Sequence, residues 1–281
     1  MARAKLDRQM ARRAARTRRR RQIQAGIGAA TALLLIIAGG FWLTGAFDND
    51  DPASNEAADQ CVWTPQDLQT NSNLKDVGRP PTTGIPDAGT RPMTVTTNQG
   101  APITVNLDLA AARCGAANLV YLAQQKFFDN TDCHEITTEG ALRCGDPSGT
   151  GLGGPTYSVY NENVPVSADP APSPSAGAAP PKQPPLYPRG TVALIGNPPG
   201  TNGSQFLIFF KDASPAQPQY SIVGTVTGGL DTLTKISKLP TVDNGQGAKI
   251  KPKDKVTVRS LTVGDVAGAA PAPAPSASSQ S

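Results

Sequence analysis

The side chains with the most evident chemistry lie in one short stretch, CHEITTEGALRCGDP at residues 133–147. It holds the only histidine of the chain, His134, next to Cys133, and Cys144 follows eleven positions later. Thiolates and imidazoles are zinc ligands, and a cysteine oriented against a histidine can act as a nucleophile. The stretch therefore raises three alternatives: a metal site, a Cys/His nucleophile, or a site that uses neither group.

The spacing argues against the first two alternatives. Adjacent residues of a strand point to opposite faces, so Cys133 and His134 do not converge on one ion, and no C-x-x-C completes a tetrahedral set. A nucleophile needs a free thiolate, which the compartment inferred below disfavours. The letters GTGLGG at 149–154 match G-x-G-x-x-G, but Pro155 follows where a nucleotide site needs a helix. We expect no metal and no cofactor.

The first 47 residues predict a membrane anchor. Residues 1–21 carry ten Lys or Arg and one acid, and residues 22–47 are uncharged over a length that can cross a bilayer. We assign 1–24 to a basic cytoplasmic tail and 25–47 to a single transmembrane helix, because positive charge stays inside. A basic tail can bind nucleic acid, but the rest of the chain is mildly acidic, so we expect no such partner.

This topology places residues 48–281 outside the cytoplasm, at the cell membrane. There, four cysteines are most simply read as two disulfides, and the sequence allows three pairings. Residues 48–92 are predicted to form a stalk and an N-terminal extension, and 93–265 a single domain. A Pro/Ala/Ser-rich loop at 167–186 interrupts the domain, and 266–281 form a disordered tail of similar composition.

The pattern of the domain is mainly β. The runs MTVTT and ITVNL alternate around Asn98-Gln99-Gly100 and predict a hairpin, and further strand-like runs begin at 191, 205, 221 and 255. Helical spacing of apolar residues occurs at 116–127 and again at 230–239. Two helices among many short strands favour a closed antiparallel architecture over a parallel sheet.

Several motifs resemble the cyclophilin family of peptidyl-prolyl isomerases. The run YPRGTVALIGNPPGTNGSQFLI at 187–208 is similar to the family's YxRGTVAMAN-x-x-NTNGSQFFI, and GDPSGTGLGGPTY at 145–157 is similar to GDPTGTGxGGPGY. The likeness spans about 93–265, and the cysteine set resembles a membrane-anchored actinobacterial subgroup. The resemblance implies an eight-stranded antiparallel barrel capped by two helices, with no cofactor. It also implies proline-containing polypeptides as partners, and we expect a monomer.

The resemblance also assigns site residues. Gln205 matches the glutamine that holds the peptide backbone and is grouped with the catalytic residues. The family asparagine falls at Gly196 or Asn197, and the His or Tyr before the V-x-G strand falls at Tyr220. Leu207 stands where phenylalanine is usual, so the expected pocket stays apolar and loses an aromatic wall. The substrate-binding set implied in this way is Leu142, Asn197, Phe206, Leu207 and Tyr220.

The catalytic arginine of the family falls at Glu135, and the glutamine of GFMxQGGD falls at Arg143. A carboxylate accepts hydrogen bonds and cannot stabilise an electron-rich prolyl nitrogen. Family strands place the two positions side by side, so we consider a swap in which Arg143 is the catalytic group; the alternative is a surface ion pair without a role. The function predicted is therefore prolyl isomerisation in extracytoplasmic protein folding. The alternative is a catalytically silent proline-peptide binding module, a chaperone or scaffold of the cell envelope.

With the family strands in place, we predict the disulfides Cys133–Cys144 and Cys61–Cys114. The first would join the strands that carry positions 135 and 143. The second would attach the N-terminal extension to the first helix of the domain.

Overall fold

A computed structural model of the chain describes residues 61–167 and 183–267. The elements are β1 (Thr64–Pro65), β2 (Leu74–Lys75), β3 (Thr90–Thr97), β4 (Ile103–Asp108), α1 (Arg113–Gln124), β5 (Thr131–Cys133), β6 (Glu135–Ile136), β7 (Ala141–Cys144), β8 (Gly154–Pro155), β9 (Tyr157–Ser158), β10 (Thr191–Gly196), β11 (Asn202–Phe209), β12 (Ser221–Gly228), α2 (Leu230–Ile236), β13 (Thr241–Asp243), β14 (Lys249–Pro252) and β15 (Val256–Val263). The predicted hairpin and both predicted helices are present.

Nine strands form one antiparallel sheet in the order β5-β15-β3-β4-β12-β10-β11-β7-β6. The first and last strands of this order, β5 and β6, are separated in the chain by His134 alone, so the sheet nearly closes into a barrel. The predicted count of eight strands is wrong by one. The chain changes partner at His134: residues 131–133 pair with β15, whereas Glu135 and Ile136 pair with β7.

Alternation along the strands builds the barrel interior. On β3 and β4, Met93, Val95, Ile103, Val105 and Leu107 are fully buried, and the residues between them are more exposed. Helix α1 adds its apolar face to the same core, with Ala116, Leu119 and Leu122 completely buried. The sheet therefore has a packed interior.

Helix α1 lacks a side-chain cap of its own at its N-terminus. The carboxylate of Glu162, 48 residues further along the chain, accepts hydrogen bonds from the backbone N–H groups of Cys114 at 2.8 Å and Gly115 at 2.7 Å. A negative charge at this end satisfies two unpaired donors and complements the helix dipole. A distant loop thus completes the helix.

The extension from Cys61 to Ile85 packs against the barrel. Strand β1 pairs with β9, and β2 pairs with β8 in parallel. Trp63 is buried, donates from Nε1 to the carbonyl of Pro81 at 3.1 Å and meets the ring of Tyr157 edge-on. The extension is therefore an integral layer of the folded unit at these residues.

No helix within residues 61–167 and 183–267 combines the length and apolarity that a membrane crossing requires. The basic tail at 1–24, the predicted transmembrane helix at 25–47 and most of the loop at 167–186 lie outside the described residues, as does the tail from 268 onward.

Candidate functional site

Strand β7 carries Arg143 between two partners. Its register places Arg143 opposite Leu207 of β11 on one side and opposite Glu135 of β6 on the other. Because residues alternate along a strand, Arg143 lies on the outer face of the barrel while its neighbours Leu142 and Cys144 face the interior. The two positions that depart from the family pattern are thus direct cross-strand neighbours.

Three acceptors surround the guanidinium of Arg143. Nη1 donates to Oε2 of Glu135 at 3.1 Å, Nε donates to Oε1 of Gln205 at 2.9 Å, and Nη2 makes a longer contact of 3.4 Å with the carbonyl of Gly151. The arginine and glutamate side chains are only 16% and 17% exposed, so water screens the pair less than at an open surface. A guanidinium has five N–H donors, and two of them remain outside these contacts.

Gln205 fixes the orientation of Arg143. Its Nε2 donates to the carbonyls of Gly151 at 3.0 Å and Gly153 at 2.9 Å, while its Oε1 receives Arg143. Sequence comparison assigned Gln205 to the peptide backbone of a substrate. In this structure both of its amide hydrogens are used within the protein, so it acts on Arg143 and on residues 145–154, called the glycine loop below.

The glycine loop after β7 is built around the buried carboxylate of Asp146. Oδ1 accepts from the backbone N–H and the hydroxyl of Ser148 at 2.7 and 2.6 Å, and Oδ2 accepts from the N–H of Gly151 at 2.6 Å. Burial by itself would raise the pKa of Asp146, but these hydrogen bonds outweigh it and the pKa is lowered. The N–H group of Gly151, within the G-x-G-x-x-G segment, thus serves a carboxylate of the chain itself.

Gly145 is required at the start of this loop. Its φ is +92°, and a Cβ there would lie 2.2 Å from the carbonyl oxygen of Ser204. Both the backbone conformation and the close approach of β11 exclude a side chain.

His134 lies beside Arg143 without taking part in its hydrogen bonds. Both ring nitrogens are buried and have no partner among the described residues. Burial, followed by the charge of Arg143, lowers the pKa of His134 to about 4, so the ring is neutral at physiological pH. Across the described ranges, no cluster of three or more His, Cys, Asp or Glu side chains could hold a metal ion.

All four cysteines are paired, in the predicted combination. Cys61 is bonded to Cys114 and Cys133 to Cys144, with Cα–Cα distances of 5.5 and 4.0 Å. The second bond joins β5 to β7 across the opening of the sheet, next to Glu135 and Arg143. Neither Cys133 nor Cys144 is therefore a free thiol.

A second apolar cluster covers the outer face beside Arg143. Leu207 and Tyr220, both assigned to substrate binding, meet here with Ala141, Tyr187 and Phe209, and the rings of Tyr187 and Phe209 stack at 5.0 Å. Burial raises the pKa of Tyr220, which keeps its hydroxyl protonated. This cluster, defined by these five residues, is called the outer apolar cluster below.

The structure does not bring Leu142 and Phe206 to this surface. Both are completely buried in the barrel interior, because each is adjacent in its strand to a residue of the outer face. Ala141, one position before Leu142, has the outward position instead. Alternation along β7 was the signal that could have made this distinction from the sequence.

Asn197 follows β10 and borders two cavities, one beside Arg143 and one beside Gly153. The adjacent alternative for the family asparagine, Gly196, has no room for a side chain: a Cβ there would lie 2.5 Å from the carbonyl carbon of Thr201. Of the two positions, Asn197 is therefore the one that has a side chain beside these cavities.

Sequence reasoning missed two contributors to this surface. The carbonyl of Gly151 is shared by Arg143 and Gln205, and the extension reaches the loop through Asn71, whose Nδ2 donates to the carbonyl of Leu152 at 2.8 Å. Backbone acceptors have no residue-type signal, and the extension shows no periodicity that would place it here.

Comparison with known proteins agrees with this architecture. The family model described as cyclophilin type peptidyl-prolyl cis-trans isomerase/CLD matches residues 92–263. A crystal structure of a Cryptosporidium parvum cyclophilin type peptidyl-prolyl cis-trans isomerase is similar in fold, with a TM-score of 0.50 and 21% identity, over 63% of this chain and 98% of that one.

Two mycobacterial proteins named probable peptidyl-prolyl cis-trans isomerase B are similar in sequence. The Mycobacterium leprae protein is 40% identical over 189 residues, which is 65% of this chain and 61% of the relative. The Mycobacterium tuberculosis protein is 37% identical over 219 residues, which is 75% of this chain and 65% of the relative. The chain thus spans somewhat less than two thirds of each relative. Because the family model covers more than half of the sequence and its fold is present, the chain belongs to the cyclophilin type peptidyl-prolyl cis-trans isomerase family.

Proposed function

We propose that this protein catalyses cis-trans isomerisation of X–Pro bonds, with Arg143 supplying the guanidinium that the family places at position 135. The observation that carries the proposal is the 2.9 Å hydrogen bond from Nε of Arg143 to Gln205. It fixes the guanidinium beside Gln205, which matches the glutamine of the family motif, whereas the family arginine is replaced by Glu135. The outer apolar cluster lies next to it and is itself buried, so Leu207 and Tyr220 are the members that keep a small exposed area for contact with a proline ring.

The reaction needs no metal, nucleophile or cofactor. Rotation about a prolyl bond has a barrier of about 18–20 kcal/mol because the amide loses its resonance as it twists. The twisted amide has a more basic nitrogen, so a positioned N–H donor stabilises it more than it stabilises the planar amide. The two N–H groups of Arg143 outside its present contacts are the donors available for this role.

Glu135 limits the rate that this arrangement can reach. Its carboxylate lies 3.1 Å from Nη1 of Arg143 and offsets part of the positive charge that would act on the prolyl nitrogen. We therefore expect an isomerase that is slower than family members with arginine at the position of Glu135.

The test is a prolyl-isomerisation assay on the full-length protein with Arg143→Ala and Arg143→Lys. Because one positioned charged donor is lost, we expect Arg143→Ala to lower kcat/KM about 100-fold, the lower end of the range for such groups, since Glu135 offsets part of the charge. Arg143→Lys keeps the charge, and its kcat/KM should lie between those of wild type and Arg143→Ala. Arg259→Ala removes an exposed arginine of β15 and should leave the rate unchanged. Equal rates for Arg143→Ala and wild type would exclude the proposed role.

Substitution of the countercharge provides a test in the opposite direction. Glu135→Gln removes the negative charge with little change of shape, and Glu135→Arg restores the family residue. Both should raise kcat/KM if the guanidinium acts on the substrate. A fall in both variants would indicate that Glu135 itself takes part.

The second candidate function is that of a proline-peptide binding module. The observation that favours it is the ion pair itself, because a guanidinium already neutralised by Glu135 has less charge to act on the amide. In this case Arg143→Ala would leave the isomerisation rate at the level of wild type, while proline peptides would still bind. The protein would then serve as a chaperone or scaffold.

We further propose that the domain acts outside the cytoplasm, on extracytoplasmic polypeptides that contain proline, and is tethered by residues 25–47. The pairing of all four cysteines supports an oxidising compartment, and the basic residues before an uncharged run support this orientation. Cell fractionation combined with protease treatment of intact cells tests the proposal. Recovery in the soluble fraction, or protection of the domain from the protease, would contradict it.

A further inference from the structure

The N-terminal extension borders a cavity that adjoins the Arg143 site. Gln66, Asn71 and Leu74 form one side of this cavity, and Gly153, Ser204 and Gln205 lie on the barrel side. Gln205 and Gly151 belong to both this cavity and the surroundings of Arg143. A polypeptide held at Arg143 would therefore pass directly beside the extension.

The extension is held firmly in this position. Gln66 donates two hydrogen bonds at β9 and the residue before it: its backbone N–H donates to the carbonyl of Thr156 at 2.8 Å, and its Nε2 donates to the hydroxyl of Ser158 at 3.0 Å. Asn71 donates to Leu152, and the disulfide of Cys61 anchors the start of the segment on α1. A wall fixed at four points can discriminate by size, because it cannot move aside at low cost.

The size of the cavity defines what fits. Its volume is about 90 Å³. This is well below the cavity volume of about 150 Å³ that accommodates a benzene ring. The side chains of threonine and valine have three heavy atoms, whereas that of phenylalanine has seven and includes such a ring. Leu74 contributes an apolar surface, and Gln66 and Asn71 contribute amides.

We propose that the extension is a specificity-determining part of the peptide cleft, in which Leu74 and Asn71 limit a residue flanking the X–Pro bond to small side chains. This inference rests on the proposed function, because it takes a proline-containing polypeptide as the ligand of the Arg143 surface. The three extension residues lie before residue 92, outside the part of the chain that matches the family model.

The test uses peptide affinities of the full-length protein, measured by isothermal titration calorimetry. The probes are one proline-containing peptide and its variants with Thr or Phe at each of the three positions before and the two after the proline. At one position we expect Phe to weaken binding of the wild type about tenfold relative to Thr. Leu74→Ala enlarges the cavity and should reduce this ratio to below threefold.

Two further variants complete the design. Leu74→Phe fills the cavity and should weaken the Thr peptide about as much as the Phe peptide, so that the preference disappears. Leu68→Ala truncates a leucine of the same extension that is 45% exposed and lies outside the cavity, and it should keep the tenfold ratio. Thermal melting of each variant identifies any that fail to fold.

The outcomes separate the two proposals. If peptides bind but both Leu74 variants keep the preference of wild type, the extension is not part of the cleft and this inference is overturned while the proposed function stands. If no proline peptide binds to the wild type, the proposed function fails, and the inference fails with it. A loss of preference in both Leu74 variants with Leu68→Ala unchanged supports the inference.

Discussion

At the scale of single residues, Arg143 depends on the side chain that orients it. Gln205 is hydrogen-bonded to the guanidinium on one side and to the carbonyls of Gly151 and Gly153 on the other, so the position of the glycine loop determines the orientation of the arginine. Gln205 is thus a positioning residue in this structure, and the arginine is the group that can touch a substrate.

Gln205→Ala is expected to destabilise the protein by about 2–3 kcal/mol at this nearly buried position. It leaves the carbonyl of Gly153 and the Nε of Arg143 without partners and removes the shorter of the two hydrogen bonds to the carbonyl of Gly151. Urea denaturation measures this change. The isomerisation rate should fall mainly in kcat, since the guanidinium loses its orientation, and Gln205→Glu should not rescue it because the carboxylate would face two carbonyl oxygens. A rate unchanged in Gln205→Ala would contradict the positioning role.

His134 makes the stability of the domain depend on pH. The folded state keeps the ring neutral down to about pH 4, whereas an unfolded chain binds a proton below about pH 6.5. Protonation therefore favours unfolding, and the free energy of unfolding should fall as the pH is lowered from 6.5 to about 4. The difference between these pKa values corresponds to at most roughly 3 kcal/mol.

Urea denaturation of wild type and His134→Gln across this pH range tests the prediction. Because the chain has no other histidine, the substituted protein should lose most of the dependence between pH 6.5 and 5. Parallel curves for the two proteins would show that another group is responsible.

At the scale of elements, the opening of the barrel and the site coincide. Strands β5 and β6 are consecutive in the chain and stand at the two ends of the sheet order, and Glu135 begins the second of them. The disulfide from Cys133 to Cys144 closes this opening. Glu135 therefore lies on a strand of only two residues. The disulfide between Cys133, two positions before Glu135, and Cys144, next to Arg143, holds this short strand against β7.

The cap of α1 is a testable element-level feature. Glu162→Ala removes the carboxylate that satisfies two N–H groups at the start of the helix, and we expect a loss of about 1–2 kcal/mol in the free energy of unfolding. As a control, Glu139→Ala removes an exposed glutamate of a turn and should change the free energy of unfolding by less than about 0.5 kcal/mol. Equal effects of the two substitutions in urea denaturation would argue against capping.

At the scale of the whole molecule, the two disulfides constrain loops of different length. The bond between Cys61 and Cys114 spans 53 positions and the bond between Cys133 and Cys144 spans 11. The chain-entropy relation gives about 4 kcal/mol for the longer loop and about 3 kcal/mol for the shorter one. Cys61→Ala/Cys114→Ala should therefore destabilise the full-length protein more than Cys133→Ala/Cys144→Ala does.

Urea denaturation of the two double-alanine variants measures the difference. A larger loss in Cys133→Ala/Cys144→Ala would mean that closure of the barrel opening matters more than loop entropy. Affinity for the Thr and Phe peptides is a second measurement. Loss of the bond between Cys61 and Cys114 loosens the extension, so this variant should also distinguish less between small and large side chains.

The sequence by itself determined the β-rich domain, the hairpin at β3 and β4, both helices and, through the family motifs, the barrel. These features depend on local periodicity and on turn residues, which any window of the chain displays. The same motifs pointed to the disulfide pairing. Gln205 was identified from its motif, but its use of both amide hydrogens within the protein was not visible there.

Only the tertiary structure decided which side chains meet. The change of partner at His134 gave nine strands in place of eight, and strand alternation turned Leu142 and Phe206 into the interior while Ala141 and Leu207 faced outward. The contact of Arg143 with Glu135 and Gln205 joins three strands whose register is set by long-range pairing. The extension reached the site through a hydrogen bond from the side chain of Asn71 to a backbone carbonyl, and a backbone acceptor carries no signature in residue type.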